Sequence, residues 1–161
     1  MMSNSEELYS RLQGTLSTLV NVRNIAELKN WIWIVVGILQ SESVALSKIA
    51  TYIPGETQAE SRVTKIRRWL MNFHVDVWSF YKPVLEHALK DWQNEIANII
   101  LDGVMVGGGR WQILRLSLAH GQRAIPLAWL VVPGTGIPQV EKLEEMLTRT
   151  AEFLRSRVKT V

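Results

Sequence analysis

Apolar positions across residues 4–95 recur every three or four places, the period of α-helices that each bury one face. Asn24 and Glu27 stand three apart ahead of an apolar run, a spacing that satisfies two otherwise unpaired backbone N–H groups at a helix start. From there Leu28, Ile32, Val35 or Val36, and Leu39 fall at helical spacing. A short helix is expected over 44–53, ended by Pro54-Gly55. Another is expected over 60–73, with Val63, Ile66, Leu70 and Phe73 on the core face. Pro83, tolerated in a first turn, is expected to start one more, carrying Val84, Leu85, Ala88, Leu89 and Trp92.

The texture changes after residue 95. Ile96, Ile99, Ile100 and Leu101 lead into Asp102, followed by Val104 and Val106. Gly107-Gly108-Gly109 signals a turn, and Trp111, Ile113, Leu114, Leu116 and Leu118 continue as a second strand. His120-Gly121-Gln122-Arg123 makes a second turn, and 125–132 reads as a third strand stopped by Pro133-Gly134. Residues 139–157 are amphipathic, with Val140, Leu143, Met146, Leu147 and Leu154 apolar. The expectation is an α+β chain: a helical region 1–95, then three antiparallel strands and a helix over 96–161. The second region is short for a core of its own. Its near-continuous apolar strand at 125–132 also expects cover on both faces. It reads as half of a domain, with a further strand expected beyond the last helix.

Composition narrows the class. The 161 residues are 47% hydrophobic and 20% charged, which excludes disorder for most of the chain. Without cysteine there is no disulfide framework, thiolate nucleophile or cysteine-type zinc site. A net charge of +3 with pI near 9.4 permits an acidic partner without requiring one. Seven tryptophans against three each of Tyr and Phe suit a core, a base-stacking surface or both. The first residues are polar and acidic, unlike a signal peptide. The longest apolar run, 31–39, has about half of the ~18 residues needed to span a bilayer. A soluble, cytoplasmic protein with no membrane partner is expected.

Two places carry candidate chemistry. The segments 44–53 and 60–73 have the layout of a helix-turn-helix, and the second bears Arg62, Lys65, Arg67 and Arg68. A recognition helix needs such cations, since phosphate neutralisation supplies its nonspecific affinity. Against this, the connection 54–59 exceeds the usual three or four residues. Acidic and basic residues also balance at ten each over 1–95, and a solvated helix face explains the same spacing. The second place is Asp102 among apolar neighbours. Such a carboxylate is tolerated in a strand when it binds metal, pairs with a cation or sits near water. Nucleases and polynucleotidyl transferases use sets of such carboxylates to hold two divalent ions. The stretch Gly107-Gly108-Gly109-Arg110 reads as a hairpin loop, since it lacks the Lys-Ser/Thr of a phosphate loop and precedes a strand. His74, His87 and His120 lack metal-ligand spacing, and a turn role suits His120.

Taken together, Leu101-Asp102-Gly103, then Gly109-Arg110-Trp111-Gln112-Ile113-Leu114, then Gly121-Gln122-Arg123-Ala124-Ile125-Pro126-Leu127-Ala128-Trp129 resemble bacterial insertion-sequence transposases of the DDE class. In that family a first catalytic Asp on strand one precedes a hairpin, and the third strand carries a Gly-x-Arg-Ala-Ile-Pro-Leu-x-Trp block. Arg67-Arg68-Trp69-Leu70-Met71-Asn72 and Tyr81-Lys82-Pro83 are similar to its helical, DNA-binding front. The resemblance spans about 45–158, the N-terminal half of a full-length member. It implies a ribonuclease H-like fold, transposon-end DNA as partner, and a carboxylate triad holding Mg²⁺ or Mn²⁺ for strand cleavage and transfer. Only the first carboxylate carries over, as catalytic residue and metal ligand at Asp102. The second Asp and the Glu have no counterpart, and Val104 stands where the family often has Thr or Ser. One carboxylate cannot hold two ions about 4 Å apart. The resemblance therefore implies a truncated or frameshifted transposase, inactive alone. The missing C-terminal half or a second copy would then be its further partner. The alternative is a stand-alone DNA-binding protein or transposition inhibitor without catalysis.

Overall fold

A computed structural model describes residues 3–21, 24–92, 95–134, 140–155 and 157. The chain forms two compact units, Met1–His87 and Ala88–Val161. The division falls before the residue-95 boundary expected from sequence, and on its far side the Trp92 ring lies 5.1 Å from that of His120.

Five helices make up the first unit: α1 (Asn4–Leu19), α2 (Ile25–Ser41), α3 (Leu46–Ala50), α4 (Ala59–Leu70) and α5 (Val77–Ala88), the last ending at the division. Ser3 and Glu6 form a reciprocal capping box at α1, and the carboxyl of Glu6 is held below its ordinary range by the Ser3 backbone N–H it accepts from. Asn24 caps α2 as its spacing suggests, accepting from the Ala26 N–H at 2.9 Å. Glu27 meets the Asn24 side-chain amide at 3.4 Å, rather than the backbone N–H that a capping box would use.

Over 31–39 helix α2 is apolar all round, and the helix serves two cores. Leu28, Ile32 and Val36 join Leu16, Val20 and Phe80, while Ile34 joins Ile49, Ala50 and Ile66. Gly37 lets α3 approach α2: a Cβ there would sit 2.6 Å from Ile49 Cγ2 and 2.9 Å from the Ile49 carbonyl oxygen.

Three expectations for this unit are corrected. Helix α3 is shorter than 44–53, turning off where Thr51 Oγ1 donates to the Lys48 carbonyl at 2.7 Å. Helix α4 stops at Leu70, so Leu70 and Phe73 are exposed and Trp69 takes the third core position after Val63 and Ile66. Helix α5 begins at Val77, with Pro83 inside it. Its start is set by Asp76, whose Oδ1 accepts from the Trp78 N–H at 3.0 Å.

In the second unit, β1 (Ile99–Val106), β2 (Trp111–His120) and β3 (Arg123–Pro133) form an antiparallel sheet in the order β1-β2-β3, followed by α6 (Val140–Arg155). The three-strand order and the final helix match the sequence expectation. Gly107, Gly108 and Gly109, at φ of +63, +67 and +84, make the first turn in a region that side chains rarely adopt. Gly121, at φ +57, leads the two-residue turn between β2 and β3.

Pairing shifts at Leu116 and Ser117, which oppose Ala128 and Pro126 and leave Leu127 as the extra residue of a bulge. The bulge and the edge position of β3 accommodate Pro126, which has no N–H for a ladder. Helix α6 packs on β3, with Met146 and Leu143 against Leu116, Ala128 and Leu130. Thus the chain is a mixed α+β protein with six helices and one three-stranded antiparallel sheet among the described residues. No helix among those residues is long and apolar enough to cross a membrane.

Candidate functional site

Helix α4 has one apolar line, Val63, Ile66 and Trp69, that enters the core shared with α2 and α3. Beside it runs a polar line spaced by three or four residues: Ser61, Thr64 or Lys65, Arg68 and Asn72. Together with Glu60, Trp69 and Asn30 from α2, these residues line a groove of about 670 Å³. Lys65 and Arg68 are exposed, and among the described residues neither has a carboxylate within salt-bridge distance. Asn72 Oδ1 accepts from the His74 N–H at 3.1 Å, which leaves the side-chain Nδ2 as the donor it can offer. Trp69 Nε1 is buried without a hydrogen-bond partner, a state that costs about 1–3 kcal/mol.

The four cations singled out in the sequence separate here. Lys65 and Arg68 meet in the groove, and Arg67 is exposed elsewhere on α4. Arg62 points back into the fold, its Nη1 donating to the carbonyls of Ile53 at 3.3 Å and Gly55 at 3.1 Å. It ties the chain just after α3 to α4, beside the apolar core of Ile49, Ala50 and Ile66 that the two helices share. Asn30, Ser61 and Thr64 carry no charge and so no sequence signal of their own, whereas Asn72 closes the block that resembles the DNA-binding front. The polar line at helical spacing was visible in the sequence, but its closure by Asn30 across a groove needed the packing of α2.

Asp102 belongs to the other unit and stands on β1, opposite Arg115 of β2 and, beyond it, Trp129 of β3. Leu101, its neighbour, shares a row with Leu116 and Ala128, the residues under α6. Alternation therefore sets Asp102 on the face away from α6. Its carboxylate is exposed, with Oδ2 3.6 Å from Arg115 Nη2 and Oδ1 accepting from the Gly103 N–H at 2.7 Å. Of the three ways of tolerating this residue, the pairing with a cation and the access to water are both present. No group of three His, Cys, Asp or Glu residues that could hold a metal ion occurs among the described residues. A lone carboxylate facing a guanidinium does not make the donor set of a two-metal centre. His120 packs on Trp92, and Arg123 begins β3 beside the turn.

Comparison of the chain with protein-family models, with curated proteins and with solved structures gave no match.

Proposed function

We propose that the chain is a DNA-binding protein of the transposition kind, with its helical unit docking on DNA through α4. The observation that carries this reading is the set of exposed cations Lys65, Arg67 and Arg68 on the second helix of the α3–α4 pair, none with a carboxylate partner among the described residues. Phosphate neutralisation by such side chains supplies sequence-independent affinity. Further support is the order of the second unit: Asp102 on the first strand, a hairpin, and the Gly121 to Trp129 block entering the third strand, as the transposase resemblance implies. On this reading the sheet unit is the first part of a ribonuclease H-like domain, and the protein acts where the DNA is, in the cytoplasm of a bacterium.

The donor set around Asp102 does not fit a Mg²⁺ or Mn²⁺ pair, so no cleavage step is assigned to these residues. The alternative is a DNA-binding protein or transposition inhibitor without catalysis of its own.

Binding of the full chain to labelled transposon-end and random duplexes, read by fluorescence anisotropy across a salt series, tests the proposal. Affinity should fall steeply with salt. The double substitution Arg67→Ala and Arg68→Ala should flatten the log–log slope by about 0.9 for each phosphate no longer neutralised. A folded chain that binds neither duplex at low salt would sink it.

A further inference from the structure

We propose that the groove between α2 and α4 is a phosphate site, with the DNA backbone as the source of the phosphate. The identity of the ligand rests on the DNA-binding reading; the existence of an anion site does not.

The groove brings two kinds of group together. Lys65 and Arg68, one helical turn apart on α4, supply positive charge without a competing carboxylate within salt-bridge distance among the described residues. Around them Asn30 of α2, Ser61 and Thr64 of α4, and Asn72 just past the end of α4 offer neutral hydrogen-bonding side chains. A tetrahedral anion needs that combination: cations to offset its charge, and donors from several directions to hold its oxygens. Trp69 forms part of the groove wall, so its indole reports on what enters.

The one opposing group is Glu60, in the first turn of α4, where it complements the helix N-terminus. Lys65 and Arg68 outnumber it, so the lining carries a net positive charge. The site differs from a general basic face because Asn30, on another helix, belongs to it and Arg67 does not.

The test is the ¹H–¹⁵N resonance of the Trp69 indole in the full chain, assigned by its disappearance in Trp69→Phe. It is followed while titrating a short random-sequence duplex and, separately, inorganic phosphate. Both should move that peak. Lys65→Gln and Arg68→Gln should each weaken duplex binding about tenfold, as expected when a charge-assisted hydrogen bond is removed. Asn30→Ala should weaken it severalfold, with the amide spectrum still dispersed as a check on folding.

If phosphate moves the peak but the duplex does not bind, the site stands and DNA is rejected as its source. If the duplex binds, yet the peak stays still and Asn30→Ala is neutral, the groove proposal falls while the DNA-binding reading survives. Silence toward both probes overturns both.

Discussion

In the helical unit, α2 is covered on two sides, by α1 and Phe80 around Ile32 and by α3 and α4 around Ile34. In the sheet unit, α6 covers one face toward β2 and β3, with Met146 and Leu143 against Leu116, Ala128 and Leu130. Strand β1 carries Ile99, Leu101 and Met105 on one face and Ile100 and Val104 on the other, all between 41% and 52% exposed. Trp111, Trp129 and Val131 extend the open face across the sheet. The two units draw on similar apolar sequence, yet one hides it and the other displays it. An apolar pattern states a demand for cover; neighbouring elements meet it or leave it unmet.

The comparison has direct tests. The largest effect is expected at the fully buried side chains of each unit. Ile49→Ala in the helical unit and Leu116→Ala in the sheet unit remove fully buried side chains, and each should cost about 2–5 kcal/mol in urea unfolding. Two separate transitions, each moved by only one of these variants, would sharpen the division into units, whereas a single shared transition would break it.

Next comes Gly37→Ala. Its methyl would press on backbone and side chain of Ile49 at once, so a loss of about 1–3 kcal/mol is expected despite the better helix propensity of alanine. A stabilised variant would mean that α3 can move away from α2 freely. The smallest effect belongs to the open face. Val104→Thr keeps the β-branched shape at a half-exposed position and should shift stability by less than about 0.5 kcal/mol. A loss several times larger would show that this face is covered when the protein is in solution.

Local chemistry was readable wherever it depended on near neighbours. Asn24 announced the start of α2, three glycines announced the first hairpin, and Gly121-Gln122 announced the second. Misreadings came where a short-range signal had a competitor. Pro83 looked like a first-turn proline because Asp76, the actual start, lies seven residues earlier. Leu70 and Phe73 match the core period, but Leu70 is the exposed last residue of α4, Phe73 lies beyond it, and Trp69 takes the core place.

For the candidate site, charge was visible and partnership was not. Four cations on one segment looked equivalent in the sequence, because side-chain type and spacing were all it contained. The sequence by itself determined the element order, the hairpin turns and the polar line along α4, since each follows from residues a few places apart. Only the tertiary structure decided that Arg62 binds the 54–58 loop, that Lys65 and Arg68 share a groove with Asn30, and that Asp102 faces Arg115. Those outcomes turn on which distant segment arrives alongside, and packing of whole helices and strands sets that.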